Sequence, residues 1–227
     1  MSYIDKIAIR MNDWERARTN EQKEIREKEI LGAARQLLLQ KSYEFITLSD
    51  IASLLSFSRA NIYKYFESKE EVYLSLLADE VLVFGKNVQS HLTPELPLTN
   101  PIKEFSSQWS ELLTKEKILL YLLSMTGTIL ERNCSNKILI QSKNNMAEAM
   151  KNYLSPCIRR YFPYVDDLKI SKALRLLIIS ANGLYSLCGL SSEQKQLLIS
   201  NDMDFMIYEF KRDYQELLED SLAGIFQ

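Results

Sequence analysis

Apolar residues recur every three to four positions along most of this chain, a spacing that admits helices and little else. In "EQKEIREKEILGAARQLLLQ", residues 21–40, Ile30, Ala33, Ala34, Leu37 and Leu38 fall on one stripe with charges opposite. Further periodic stretches occupy residues 102–114, 116–131, 136–161, 167–189 and 203–224, and Pro156 and Pro163 are placed to break or end the third. Six Gly and five Pro among 227 residues are too few for the many turns of an all-β protein. There is no alternating strand pattern, internal repeat or low-complexity tract. The expected fold class is all-α.

Two short elements follow the first long helix. In "FITLSDIASLLSFSRANIYKYFESKEE", Thr47 and Asp50 make a capping box that starts a helix running to about Leu55. Ser56 and Phe57 turn the chain, and Ser58 caps a second short helix through about Tyr65. Ser68 caps a longer one toward His91, with Glu71 three residues on. Isolated helices under about a dozen residues are marginal in water, so neighbours must hold these two. Ile51, Ala52, Leu55, Ile62 and Phe66 are the core expected to do so.

Two short helices about a tight turn, behind an amphipathic helix, make a helix-turn-helix, whose second helix enters the major groove. Ser58, Arg59, Ala60 and Asn61 begin that helix. Arg59 suits bidentate donation to guanine and Asn61 the adenine edge. Tyr63 and Lys64 suit phosphate oxygens, as do Thr47 and Lys69 at helix starts. Arg16 and Arg18, in "WERART", suit a minor-groove arm. The plainer alternatives are Arg59 on phosphate alone, Asn61 as an ordinary helix residue, and an N-terminal tail without contacts.

The stretches "ILGAARQLL" and "YEFITLSDIASLLSFSRANIYKYFESKEEVYLSLL" resemble the N-terminal domain of the TetR (tetracycline repressor) family of transcriptional regulators. The matching features are the paired Ala of the first helix, the Thr before the second, the Ile-Ala pair, the Ser before the recognition helix, and "IYKYFESKEE". The resemblance covers residues 25–77. Ser56 stands where the family usually has Gly, and Ser is less comfortable at positive φ, so a slightly altered turn is expected. The resemblance implies a larger C-terminal domain that pairs two subunits through a four-helix bundle and often encloses an effector pocket.

"LTPELPLTNP", residues 92–101, holds three of the five prolines and marks the expected domain boundary. The expected organisation is an arm over 1–24, a helix-turn-helix domain over 25–71, a connecting helix over 72–91, and a dimerisation and ligand-binding domain over 92–227. "KALRLLIISANGLYSLCGL", residues 172–190, is apolar nearly all round, which calls for burial on more than one side. Its uncharged part is shorter than the about twenty residues a bilayer needs, so no membrane span is expected. Leu176, Ile179 and Leu187, with Ile207, Phe210, Tyr214 and Leu217 farther on, are the expected subunit interface. Trp109, Tyr121, Met125, Asn182 and Tyr185 are pocket candidates, and the scarcity of charge around them favours an apolar or amphipathic ligand.

Charge narrows the function less than the motif does. The formal net charge is −2, and residues 1–70 carry 12 Lys and Arg against 11 Asp and Glu, so a phosphate-binding face must be a local arrangement. Cys134, Cys157 and Cys188 are odd in number and far apart, as expected of free thiols in a reducing cytoplasm. One histidine, His91, excludes His-clustered metal sites, and there is no P-loop or dinucleotide fingerprint. No cofactor is expected. The expected function is a homodimeric repressor that binds a palindromic duplex operator and is released by a small effector. The alternatives are a DNA-binding dimer controlled by a protein partner or by no ligand, and, remotely, a helical enzyme using Cys134.

Overall fold

The computed structural model describes residues 3–95 and 97–226, with side chains from residue 21 onward. Eleven α-helices and a few single turns make up the described residues, with no strand among them.

Helix α1 runs from Tyr3 to Leu38. The sequence holds no Pro or Gly before Gly32, and Lys23–Glu27 and Arg26–Glu29 pair along its surface. Nothing therefore stops the helix at residue 24, and the expected separate arm over 1–24 is continuous helical backbone from Tyr3. The side chains of Arg16 and Arg18 lie outside the described residues.

A 3-10 turn over Tyr43–Phe45 leads into α2 (Leu48–Ser53) and α3 (Arg59–Ile62). Ile30, Ala34, Ile46, Ile51 and Ile62 are almost wholly buried, with Ala52 and Leu55 packed at the edge. Helix α4 (Lys69–His91) closes this core with Val72 and Tyr73, and the Tyr73 hydroxyl donates to Ala34 O at 3.2 Å. Arg35 of α1 donates to the buried carboxylate of Glu80 at 2.7 Å, a second tie between α1 and α4.

Helix α4 is 23 residues long, which at about 1.5 Å per residue carries it out of the small domain and through the large one. It packs against α7 (Asn136–Ala149) more extensively than any other helix pair packs among the described residues. Gly85 permits the close approach of the turn that follows α7: a Cβ there would lie 3.0 Å from Cβ of Tyr153. Arg160 donates to Gln89 O at 2.8 Å and to Leu92 O at 3.2 Å, closing the carbonyl end of α4 where a cation also suits the helix dipole. The division between the two parts therefore runs along α4, rather than through the Pro-rich segment expected to separate them. The described residues of that segment form a loop up to Asn100, which caps α5 (Pro101–Lys115).

The larger part adds α6 (Lys117–Met125), a 3-10 turn over Leu130–Asn133, α7, α8 (Ser155–Tyr161), α9 (Asp167–Leu187), α10 (Ser192–Ile199) and α11 (Phe210–Phe226). Between α7 and α8 lies a π turn over Met150–Leu154, just before Pro156, which has no amide to donate, and the helix ends at Tyr161, before Pro163. Helix α11 packs against α5 and α9. At that junction the Trp109 indole donates to the Tyr214 hydroxyl at 3.3 Å, and that hydroxyl donates to Leu177 O at 2.8 Å. Phe210 stacks on Tyr214 with ring centres 5.1 Å apart.

This packing corrects part of the expected subunit interface. Phe210 and Tyr214 share a buried stripe with Leu218 and Leu222, turned toward the chain's own core. They are one helical turn apart, so the contact that buries one buries the other. Ile207 precedes α11 and is half-buried, as is Leu176. Ile179 is 62% exposed, and Leu187 and Leu217 are also exposed. One apolar face of α9 is thus uncovered in the single chain, while Ala173, Leu177 and Ala181 bury the other. No single helix among the described residues is long and apolar enough to cross a membrane.

Candidate nucleic-acid interface and regulatory cavity

The Thr47 side chain accepts from Asp50 N at 3.2 Å, and the Asp50 carboxylate accepts from Thr47 N at 2.7 Å, completing the capping box. Asp50 also pairs with Lys41 at 3.0 Å. The Thr47 hydroxyl and then Lys41 hold the Asp50 carboxyl down at about 2. This cluster sets where α2 begins, and Ile51 and Ile62 then lock α2 against α3.

Helix α3 has four residues, and the chain continues in 3-10 fashion, with Lys64 N donating to Asn61 O and Tyr65 N to Ile62 O. The expected regular helix to Tyr65 is therefore tighter at its end. Ser58 sits at the N-cap with extended backbone but makes no side-chain cap bond, contrary to expectation. Ser56 has no positive φ, so the Gly usual in the family is not required by this turn.

Ser58, Arg59, Ala60, Tyr63 and Lys64 form one exposed face, with Thr47 exposed at the start of α2 and Asn61 half-buried. The Arg59 guanidinium donates to the Tyr63 hydroxyl at 2.6 Å and to Ser49 Oγ at 3.4 Å. Lys69, expected on phosphate, is half-buried and engaged within the chain. Its ammonium donates to Tyr43 O at 2.9 Å and lies 3.9 Å from the centre of the Tyr43 ring, and burial pulls its pKa down. Lys23 and Arg26 of α1 border the same recess as Lys64 and Tyr65 and were not singled out in the sequence. Their i,i+4 and i,i+3 acidic partners gave them the pattern of an ordinary solvated face.

A cavity of about 370 Å³ lies between α4 and the helices of the larger part. Phe84, Trp109, Met146 and Leu177 contribute apolar wall, and Asn182 and Thr126 contribute polar atoms. Glu131 and Lys143, paired with each other, stand at its edge. Of the pocket candidates, Trp109 and Asn182 line it and three do not. Leu119 and Leu123 turn to the cavity from α6, so Tyr121 and Met125, two residues farther along a helix of about 100° per residue, face away. Met125 is buried in the core, and the Tyr121 hydroxyl accepts from Tyr43 N at 3.4 Å. Tyr185 lies beyond the cavity on α9, edge-on to Phe210. Leu77, Val81 and Phe84 of α4 also line the cavity and are not pocket candidates from the sequence, because an apolar helical stripe against a cavity has the same spacing as one against plain core.

Cys134 is partly buried, and burial, then the acidic Glu71 and Glu131, push its thiol pKa up, the opposite of an activated nucleophile. Cys157 and Cys188 are free thiols as well.

Fold and site together define a helix-turn-helix domain joined by one shared helix to a helical domain with an apolar cavity. The chain belongs to the tetR family of bacterial regulatory proteins, which are transcription regulators and not enzymes: residues 30–76 match that family's N-terminal model, and residues 82–227 match the tetracyclin repressor-like C-terminal domain. An uncharacterized HTH-type transcriptional regulator, YfiR of Bacillus subtilis (strain 168), is 37% identical over 59 residues, which are 26% of this chain and 29% of that relative's length. Two solved structures are similar overall. The fatty acid degradation regulator FadR from Bacillus halodurans has 18% identity and TM-score 0.48, covering 87% of this chain and 95% of that one. RolR, in complex with its ligand resorcinol, has 15% identity and TM-score 0.46, covering 88% and 95%. The chain is a DNA-binding transcriptional regulator.

Proposed function

We propose that this protein is a homodimeric repressor that binds a two-fold duplex operator and is released when a small apolar or amphipathic effector fills the cavity beside α4. One observation carries this reading: Leu77, Val81 and Phe84 of α4 line the cavity, while Val72 and Tyr73 of the same helix close the helix-turn-helix core. A ligand acts on DNA only through differential affinity for two arrangements of the chain, and a packed helix common to both sites moves as a rigid body. The paired Glu131 and Lys143 leave the cavity without a free charge, which favours an uncharged or weakly polar ligand body. The exposed face of α9, with Ile179 and Leu187, is the surface proposed for the second subunit.

Arg59 and Asn61 are proposed to face base edges, with Tyr63 and Lys64 on phosphate and Lys23 and Arg26 flanking them. The test is selection of bound duplexes from a random-sequence library, followed by calorimetric titration of N-phenyl-1-naphthylamine with and without the selected duplex. A palindromic consensus is expected, with weaker probe binding in the presence of duplex by the same factor that probe weakens duplex binding. Equal probe affinities in the two titrations sink the effector reading. The exposed apolar residues Leu197, Phe205 and Met206 around α10 favour a second reading, relief by a protein partner. In that case no small molecule alters duplex affinity.

A further inference from the structure

We propose that residues 130–135 carry the state of the cavity to the helix-turn-helix, with Ser68 and Glu71 as the positioning residues that receive it. This rests on the effector reading above. Glu71, in the first turn of α4, is 1% exposed. Its two oxygens accept from Glu67 N at 2.6 Å and from Ser135 N at 2.8 Å, one amide from each side of the molecule. Ser68 Oγ accepts from Glu71 N at 3.1 Å and donates to Asn133 O at 2.9 Å. The junction behind α3 is therefore clamped to residues 133–135 at two adjacent points.

The same short segment reaches the cavity. Glu131 stands at the cavity edge paired with Lys143, and its amide donates at 3.0 Å to O of Thr126, another lining residue. Only Arg132 separates Glu131 from Asn133, whose carbonyl holds Ser68. An occupant that shifts Thr126 or parts Glu131 from Lys143 moves Asn133 and Ser135 with it, because a 3-10 turn has little slack. The clamp then responds sharply, since a buried carboxylate that loses an N–H partner bears an unmet desolvation cost. Glu71 stands in the first turn of α4, at the positive end of the helix dipole.

The test uses the full chain, a duplex selected from random sequence, and N-phenyl-1-naphthylamine as the probe. Cys134 lies between the two clamped residues, so its alkylation by iodoacetamide, located by peptide mass mapping, reports clamp opening. In the native protein, saturating probe is expected to weaken duplex binding by about fivefold or more and to speed Cys134 alkylation. In Ser68→Ala/Glu71→Gln, probe affinity is expected to stay within about twofold while the effect on duplex falls well below the native factor, to the part that α4 conveys by itself. Cys134 there is alkylated rapidly with or without probe. A folded double variant that keeps the native coupling factor overturns the proposal. So does native Cys134 alkylation that ignores bound probe, which decides the matter if the double variant does not fold. If the probe does not bind, the effector reading has failed separately, and Ala181→Leu fills the cavity instead. Unchanged Cys134 alkylation in that folded variant overturns the proposal; faster alkylation with weakened duplex binding supports it.

Discussion

The Arg59 guanidinium lies 2.6 Å from the hydroxyl of Tyr63, the residue at the C-cap of α3, with its central carbon 5.3 Å from the centre of the Tyr63 ring. A long cationic side chain is thereby held in one arrangement before DNA arrives, which reduces the ordering cost at the interface. Replacing Arg59 by Ala is expected to cost about 1–3 kcal/mol of duplex affinity and to relax preference at one position per half-site. Tyr63→Phe keeps the ring and loses the hydrogen bond, so its loss is expected to be smaller. Lys64→Ala is expected to weaken all sequences alike and lower the salt slope by about 1. Competition binding against a randomised half-site distinguishes these outcomes; a uniform loss for Arg59→Ala contradicts base readout.

Lys69 is expected to behave differently from Lys64. Its ammonium is bound to Tyr43 O over the Tyr43 ring, so Lys69→Met should lower the thermal midpoint and leave the salt slope of DNA binding unchanged. A slope reduced as in Lys64→Ala would place Lys69 on phosphate.

The capping cluster at α2 gives a pH signature. The Asp50 carboxyl is held at about 2 against an ordinary value of 3.8. The native state therefore binds fewer protons than the unfolded state between those values. The contribution of Asp50 is fully present above pH 3.8 and is lost as pH falls toward about 2. Asp50→Asn is expected to remove this component of acid lability, and Thr47→Ala to cost about 0.5–2 kcal/mol at neutral pH. Denaturant unfolding across the pH range measures both. An Asp50→Asn variant with the native acid profile counts against the assignment.

Two substitutions separate the chain's own core from the surface proposed for dimerisation. Tyr214→Phe removes the donor to Leu177 O and the acceptor of the Trp109 indole. With both groups buried, a loss of about 1–3 kcal/mol of stability is expected. Ile179→Glu, on the exposed face of α9, is expected to leave the monomer folded and shift sedimentation from dimer to monomer. Unchanged sedimentation would place the interface elsewhere.

The all-α class, the capping residues Thr47 and Ser68, and the buried Ile51, Ile62 and Phe66 could be read from the sequence alone. Each depends on local chemistry: a hydroxyl reaching an amide three residues on, or side chains one helical turn apart. Ser58 shows where that reasoning stops, because the same residue type at an N-cap made no cap bond. Only the tertiary structure decided that Tyr121 turns to Tyr43 rather than to the cavity, that Tyr214 belongs to the chain's own core, and that Leu77, Val81 and Phe84 are the residues α4 turns to the cavity. Periodicity specifies that a helix has an apolar stripe but not which neighbour covers it. A face turned to the chain's own core, to a cavity or to a second subunit has the same spacing, and the choice among them follows from how the helices rotate when packed together. Glu71 is the strongest case. In sequence it is a capping-box carboxylate, and in the fold its partners are Glu67 N and Ser135 N, the second 64 positions away.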